Sequence, residues 1–456
     1  MNSQPRLPRI VTLPIASLLF ILAAAALSPV RATGLQAKSD AERYVLEEFQ
    51  KGESADLMSR FPKDKFPDSA RALRGSFVAK LLTSGDDDVK VHPHGILIND
   101  AVITGDLDLS SQEIQYGVYL GSCRFKSNVF LFWSHFARGL EIVDCDFDGP
   151  TDFRYSTVDL YFSATFSRFA DGANFQGIRV GGDFSIEGST FRGSDDISFN
   201  EMRVDGAFSA RRSTFSLNHS TVSFVGSHFS DTFLDDSIFN KVGFIDFSRS
   251  QVSLLSVADI QFQDRVGVIG HKQMTFKLVT PASAEKLQLL LKPYDPEFYA
   301  ALETSFRTQG YAGEADKIFI AGKREERREK CPSVLRDCQR SAWALSLFED
   351  LLAGYGKSLK NLLYWSVGFL FIGTFVFRSE KGMRTKNPND AENYEGKYNA
   401  FWYSLDLFLP IIKLGEADVW TPKHYRRWAN FYRKVHVIIG SLFVPIGLAA
   451  LTGIIK

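Results

Sequence analysis

Residues 120–130 read LGSCRFKSNVF, residues 131–141 LFWSHFARGLE, residues 142–152 IVDCDFDGPTD and residues 153–163 FRYSTVDLYFS. All four rows follow one plan. A large apolar residue comes first, a small one fourth and a second large apolar residue sixth, with a further apolar residue usually tenth. Extended in both directions, the row starts fall without a slip at Ile98, Leu109, Leu120, Leu131, Ile142, Phe153, Ala164, Phe175 and Ile186. The sixth positions are Ile103, Ile114, Phe125, Phe136, Phe147, Val158, Phe169, Val180 and Phe191, and the fourth include Ala101, Cys123, Ser134, Cys145, Ser156, Ser167 and Ser189. Beyond Phe191 the pattern continues with short insertions from Phe199, Ala210, Phe224, Leu234 and Ile245.

The spacing identifies the element. Positions four and six lie two apart, as do position ten and the next row start, so each pair points to one side of an extended strand. Positions one, four, six and ten make no stripe at a 3.6-residue period, which excludes a helical repeat. Alternate rows match better than neighbours: Phe125, Phe147, Phe169, Phe191 and Phe215 form one set, and Ile114, Val158, Val180 and Val204 the other. Two rows, or 22 residues, therefore make one coil with four walls. Roughly seven coils to about Val257, stacked about 4.8 Å apart, predict a rod about 30–35 Å long. The chain's 40 Phe residues, an excess for a soluble domain, find equivalent inward slots in such a stack.

A small residue two places before a central Phe recurs in Ser189-Thr190-Phe191, Ser213-Thr214-Phe215, Ser227-His228-Phe229 and Ser237-Ile238-Phe239. In this the chain resembles the pentapeptide-repeat family, over about a third of its length from Ile96 to Val257. The resemblance implies a mainly β solenoid, a right-handed quadrilateral β-helix. The chain departs from the family by taking 22 rather than 20 residues per coil. The resemblance says little of function, because the family includes DNA mimics, targeting modules and proteins of no known role. The repeat carries no run of outward acids, which opposes the DNA-mimic role.

Outside residues 91–260, assigned to the solenoid, the chain reads as four further parts. Residues 1–32 resemble a signal peptide: Arg6 and Arg9 precede an apolar run from Ile10 to Leu27, and Val30-Arg31-Ala32 supplies a cleavage site. An uncleaved anchor is the other reading of the same segment. Residues 33–90 predict a helical cap, with helices at Asp40–Gln50 and Ser69–Leu82 covering the open end of the rod. Residues 261–356 predict a linker and a helical hairpin. Tyr299, Leu302 and Phe306 form one face, Gly310 turns the chain, and Ala315, Ile318 and Ile320 face back, as in a single tetratricopeptide-type unit. Residues 357–456 predict a membrane module with spans at 359–377 and 435–455.

Residues 400–414 are apolar but too short to cross, and are expected to be interfacial or re-entrant. Between the spans, eleven Lys and Arg face seven acids, which places that loop in the cytoplasm and the solenoid on the exported side. Two spans flanking a short helix also resemble the pore module of potassium channels. No Thr-Val-Gly-Tyr-Gly filter follows, since the chain reads Lys413-Leu414-Gly415-Glu416. Asp406 is the candidate intramembrane polar residue for a pore.

Catalytic signatures are missing from the sequence: it contains no Gly-x-Ser-x-Gly elbow, phosphate-binding loop, dinucleotide fingerprint or His-Glu-x-x-His pair. No catalytic, cofactor or metal residue is assigned, and no cofactor is expected. His92-Pro93-His94 is read as a turn. Outward Asp144, Asp146, Glu187 and Glu201 form no evident acid pair, leaving a polysaccharide-active enzyme as a minor alternative. Lys plus Arg equals Asp plus Glu at 53 each, which argues against a nucleic-acid partner. The run Lys323–Lys330 alternates in sign and reads as a solvated helix face.

Cys331 and Cys338 are spaced to close a short disulfide loop. Cys123 and Cys145 share one row position a coil apart, as two core thiols or, less favourably, a strained cross-strand disulfide. Trp133 and Tyr155 share the outward third position one coil apart, with Phe132 beside them. They predict either an aromatic binding strip or a patch covered by another element. The expected function is a non-enzymatic membrane-anchored envelope protein that presents a solenoid to a protein or glycan partner, the alternative being a pore or transport accessory.

Overall fold

The computed structural model describes residues 35–84, 95–263, 268–288, 290–331, 340–387, 394, 396–409 and 411–451. The signal segment, His92, His94 and Cys338 lie outside the described residues. The chain forms a parallel β-solenoid of about eight turns with a spacing of about 23 residues, followed by helices. It divides into two compact units, residues 1–206 with 213–217, and residues 207–212 with 218–456.

In the first unit each turn contributes four short strands, such as Val118–Gly121, Arg124–Phe125, Val129–Phe130 and His135–Phe136. Parallel register joins equivalent residues of successive turns. Leu140 lies beside Val118 and Phe162, and Phe147 beside Phe125 and Phe169. That spacing is the expected 22 residues. It lengthens to 24 where Phe191 pairs with Phe215 and Val180 with Val204, because the inserted residues are absorbed in corners while the inward pattern is kept.

Side chains from equivalent rows stack as the strand spacing dictates. The rings of Phe125, Phe147, Phe169, Phe191 and Phe215 lie 4.5, 4.7, 4.8 and 5.1 Å apart and nearly parallel. A second stack runs through Phe153, Phe175 and Phe199, and a third through Phe162 and Phe184. The second and third stacks meet edge to face, at 86° for Phe153 with Phe162 and for Phe175 with Phe184. This is the arrangement the aromatic quadrupole favours between neighbouring columns. All of these rings are buried.

The N-terminal end departs from the expected helical cap. Helix α1 (Asp40–Lys51) forms as expected, with the Ser39 hydroxyl accepting from the Glu42 N–H and Gly52 closing the C-terminus at φ 73°. The expected helix Ser69–Leu82 is instead a 3-10 turn (Asp68–Arg71), a strand (Ala72–Arg74) and helix α2 (Gly75–Thr83). The strand pairs in parallel with Val102–Thr104, and Ala55–Asp56 pairs with Ile98–Asn99. The first coil leaves unpaired backbone groups at its edge, and satisfying them outweighs the helical spacing of Ala72, Leu73 and Phe77. Helix α2 can begin at once because residue 75 is Gly, where a Cβ would lie 2.2 Å from the Asp106 carbonyl oxygen.

In the second unit the coils continue past the expected boundary at residue 260. Phe244 pairs with Thr221 and Val268, and Gln251–Ser256 pairs with Thr275–Thr280. Phe247, rather than Ile245, takes the inward row start and stacks 4.7 Å from Phe224. The helical hairpin consists of α3 (Pro296–Thr308) and α4 (Ala312–Lys330), turned at Gly310 with φ 86°. Helix α3 packs on the last coil. Phe298 stacks 4.0 Å over the buried His271 ring, and the Ser305 hydroxyl accepts from the Val279 N–H at 3.1 Å. Burial depresses the pKa of His271 and outweighs the nearby Asp295 carboxylate, which acts to raise it.

Helix α5 (Arg340–Ala353) follows, then α6 (Leu359–Phe377), α7 (Ala400–Phe408) and α8 (Arg427–Leu451). Two helices are long and apolar enough to cross a membrane, over Lys360–Phe377 and Arg427–Ala449. The second begins before the expected position 435. Of the expected 400–414 segment, Ala400–Phe408 are the helical part among the described residues, and Asn399 caps them by accepting from the Phe401 and Trp402 N–H groups.

Candidate functional site

In the first unit one corner of each row turns on the third position, which takes a left-handed backbone. Asp100, Ser111, Ser122, Trp133, Asp144, Tyr155 and Phe166 have φ between 49° and 59°, and Gly177 and Gly188 have 68° and 67°. Glycine, Asn and Asp suit this conformation, whereas a bulky side chain in it is disfavoured by about 1–2 kcal/mol. The backbone is nevertheless held: the Trp133 N–H donates to the Arg154 carbonyl and the Tyr155 N–H to the Gln176 carbonyl, each at 2.9 Å.

Three consecutive turns of one corner therefore carry Trp133, Tyr155 and Gly177. Tyr155 lies over Gly177, where an added Cβ would come within 2.4 Å of the ring. Phe166 covers Gly188 in the same way on another corner. Trp133 has no such recess to fill and is 63% exposed, while Tyr155 is 44% exposed. Their ring centroids are 6.4 Å apart, and Phe132 meets Trp133 edge to face at 6.2 Å. The expected strip Phe132, Trp133 and Tyr155 is thus brought together, with Phe132 half-buried and the other two rings exposed. Sequence reasoning missed Phe166, which is 58% exposed. The Gly residues that recur at position three were the signal for a left-handed corner.

The outward acids Asp144, Asp146 and Asp148 are engaged across coils. Asp146 accepts from the Arg168 Nε at 2.8 Å, and Asp148 from the Arg124 Nε at 3.0 Å. Partial burial would raise the Asp148 carboxyl, but Arg124 and Lys126 outweigh it and hold its pKa below the ordinary value. Asp144 accepts from the Ser122 hydroxyl at 3.0 Å.

Inside the corners, the small fourth-position residues form a polar ladder. The Ser167 hydroxyl donates to the Ile142 carbonyl at 3.1 Å and accepts from the Cys145 N–H at 3.1 Å. Ser189 does the same with the Ala164 carbonyl and the Ser167 N–H. Cys123 and Cys145 occupy rungs of this ladder as free thiols rather than a disulfide. The Cys145 thiol donates to the Leu120 carbonyl at 3.2 Å, and burial pushes its pKa far up. Such thiols are inert core groups.

In the helical region, Asp350 on α5 is buried and accepts from Arg324 Nη2 at 2.8 Å and Arg327 Nη2 at 2.9 Å, both on α4. Burial would raise the Asp350 pKa, and the two guanidinium groups overcome it and lower the value. Arg327 also donates to the Tyr355 hydroxyl at 2.8 Å. Beside this network lies a cleft of about 890 Å³, walled by Phe319, Lys323 and Lys330 of α4, Trp343 and Phe348 of α5, and Ile446 of α8. The charged run Lys323–Lys330 is a helix face in which Lys323 and Lys330 both pair with Glu326. Cys331 is disulfide-bonded.

Asp406 is buried on α7. One carboxylate oxygen accepts from the Leu414 N–H at 2.8 Å and the other from the Ala417 N–H at 2.6 Å. It anchors the chain that returns from α7. Close by, the Ser404 hydroxyl lies 3.2 Å from His436 Nε2 on α8. Among the described residues, no group of three or more His, Cys, Asp or Glu is placed to hold a metal ion. No family model matches the chain, and no curated protein or solved structure matches it either.

Proposed function

We propose that this chain is a non-enzymatic, membrane-anchored envelope protein whose right-handed, pentapeptide-repeat-like solenoid presents an aromatic strip to a protein or glycan partner on the exported side. The observation that carries the reading is Trp133. It adopts a backbone conformation that suits Gly, returns little burial in exchange, and lies beside a second exposed ring, Tyr155. Backbone strain with no packing return is characteristic of recognition sites, and adjacent exposed aromatics suit the apolar faces of sugars or a protein hot spot. Two helices of membrane-crossing length support the anchor. The pore alternative would need Asp406 as a lining group, and both of its oxygens are occupied by backbone N–H groups.

The test is capture by the full chain in detergent, using β-glucan and chitin-type oligosaccharides as glycan probes and crosslinked envelope extract for proteins. Trp133→Gly should lower capture about tenfold, the loss of about 1.4 kcal/mol. The same variant should leave stability unchanged or raise it by up to about 1 kcal/mol, because Gly relieves the left-handed strain. Unaltered capture of every probe that the parent chain binds would end the proposal.

A further inference from the structure

One face of α5 is apolar and exposed: Leu345 is 59% exposed, Phe348, at the cleft beside α4, 56% and Leu351 54%. At 100° per residue these side chains, with Ala344 and Leu352, fill one continuous arc of the helix. The opposite side is fixed in place, since Asp350 is bound by Arg324 and Arg327. The end of α5 is tied to the first apolar helix. Leu352 packs against the cluster of Leu362, Phe408 and Phe443, and the Trp365 indole N–H donates to the Leu351 carbonyl at 3.0 Å. Helix α5 therefore sits at the level where α6 starts. Leu363 and Tyr364 near that start are exposed as well, as is Phe371 further along α6.

We infer that α5 is an in-plane membrane helix, with Leu345, Phe348 and Leu351 immersed at the boundary between the headgroups and hydrocarbon of the bilayer. The inference rests on the reading of α6 and α8 as spans and adds to it a surface that the spans do not include. Its occupant is lipid because the arc is carried on a helix bonded to the start of α6, whose own outward side chains Leu363, Tyr364 and Phe371 are apolar and exposed. A soluble partner would have to cover both helices. A helix lying in the interface holds the adjoining α3–α4 hairpin at a set height over the membrane.

The experiment uses the full chain in phosphatidylcholine nanodiscs, with Leu345→Cys carrying an environment-sensitive fluorophore and Phe371→Cys as the control within the span. Cys123 and Cys145 are buried and Cys331 is in a disulfide, so the introduced thiols label selectively. Lipid with a nitroxide near its headgroup should quench the Leu345→Cys label at least about twofold, and aqueous iodide should leave it nearly unquenched. A label at Leu351→Cys repeats the measurement should the first variant fold poorly. If iodide quenches the α5 labels and lipid nitroxide does not, while the Phe371→Cys label remains lipid-quenched, the in-plane helix is wrong and the spans stand. If no label senses lipid, both readings fall. Protection of α5 labels from both quenchers, with α5-to-α5 crosslinks, would mean that a second copy covers the face and overturns the inference.

Discussion

The coils of the first unit and the helices α6–α8 of the second distribute the same residue types in opposite ways. In the coils, Phe147, Phe169 and Phe191 are fully buried in ring stacks, and serine and cysteine rungs satisfy the corner backbone. In the helices, Leu363, Tyr364, Phe371, Phe375, Trp428 and Phe431 are exposed, while Ser404, Asp406 and His436 are buried. A core built by water-driven burial places rings inside. On the proposed membrane reading, the helix pair meets hydrocarbon, has no such drive and uses polar contacts and close packing instead. Gly440 illustrates the latter, since a Cβ there would lie 2.1 Å from the Phe408 carbonyl oxygen. The contrast shows why apolar content alone misleads: what matters is which solvent each face meets.

The sharpest way to break this comparison is to truncate one ring of the stack. Phe169→Ala should destabilise the coils by about 3–5 kcal/mol, because a fully buried ring leaves a cavity between two rigid neighbours. Chemical denaturation of the full chain, followed by far-ultraviolet circular dichroism of the β signal, measures it. A cost of under about 1 kcal/mol would mean that the stack is not a dry core.

A smaller effect attends the buried charge of the N-terminal end. Glu42 accepts from Arg74 Nε at 2.7 Å and from the Lys38 N–H at 2.6 Å. Burial would raise its pKa, but these bonds win and lower it. A carboxyl with a depressed folded pKa stabilises above its unfolded value, and that contribution is lost as pH falls through the folded value. The melting temperature should therefore decline as the pH drops below 4.5, the ordinary value for this group. Glu42→Gln should cost about 2 kcal/mol at neutral pH and flatten that acid limb. An acid limb unchanged in the variant would show that Glu42 is not the group responsible.

The smallest effect is expected on the other side of the comparison. Phe371→Ala removes a ring of the same size as Phe169 from an outward face and should change stability in detergent by less than about 0.5 kcal/mol. A loss comparable to that of Phe169→Ala would mean that the α6 face is covered by protein rather than lipid.

Much of the solenoid is legible in the sequence because its information is periodic. Phe125, Phe147 and Phe169 repeat at one spacing, and a strand of fixed rise turns that spacing into a column. The helix Leu359–Phe377 was equally plain from composition. The short strand Ala72–Arg74 was not legible, since its helical spacing is overruled by an edge that exists only once the first coil has formed. The strip at Phe132, Trp133 and Tyr155 was legible as a position but not as an open surface. Exposure depends on where distant chain segments travel.

Sequence alone thus determined which side chains face inward in the rows from Ile98 to Phe191, that two long apolar helices lie near the C-terminal end, and that Cys123 and Cys145 share a row position. Tertiary structure alone decided that Trp133 stands exposed on its corner, that the two thiols stay free on a hydrogen-bonded ladder, that Asp350 is gripped by two arginines and that Asp406 serves as a backbone anchor. The physical reason is range. Facing is set by the local period of the backbone, whereas partners and exposure are set by contacts between residues that the chain brings together only on folding.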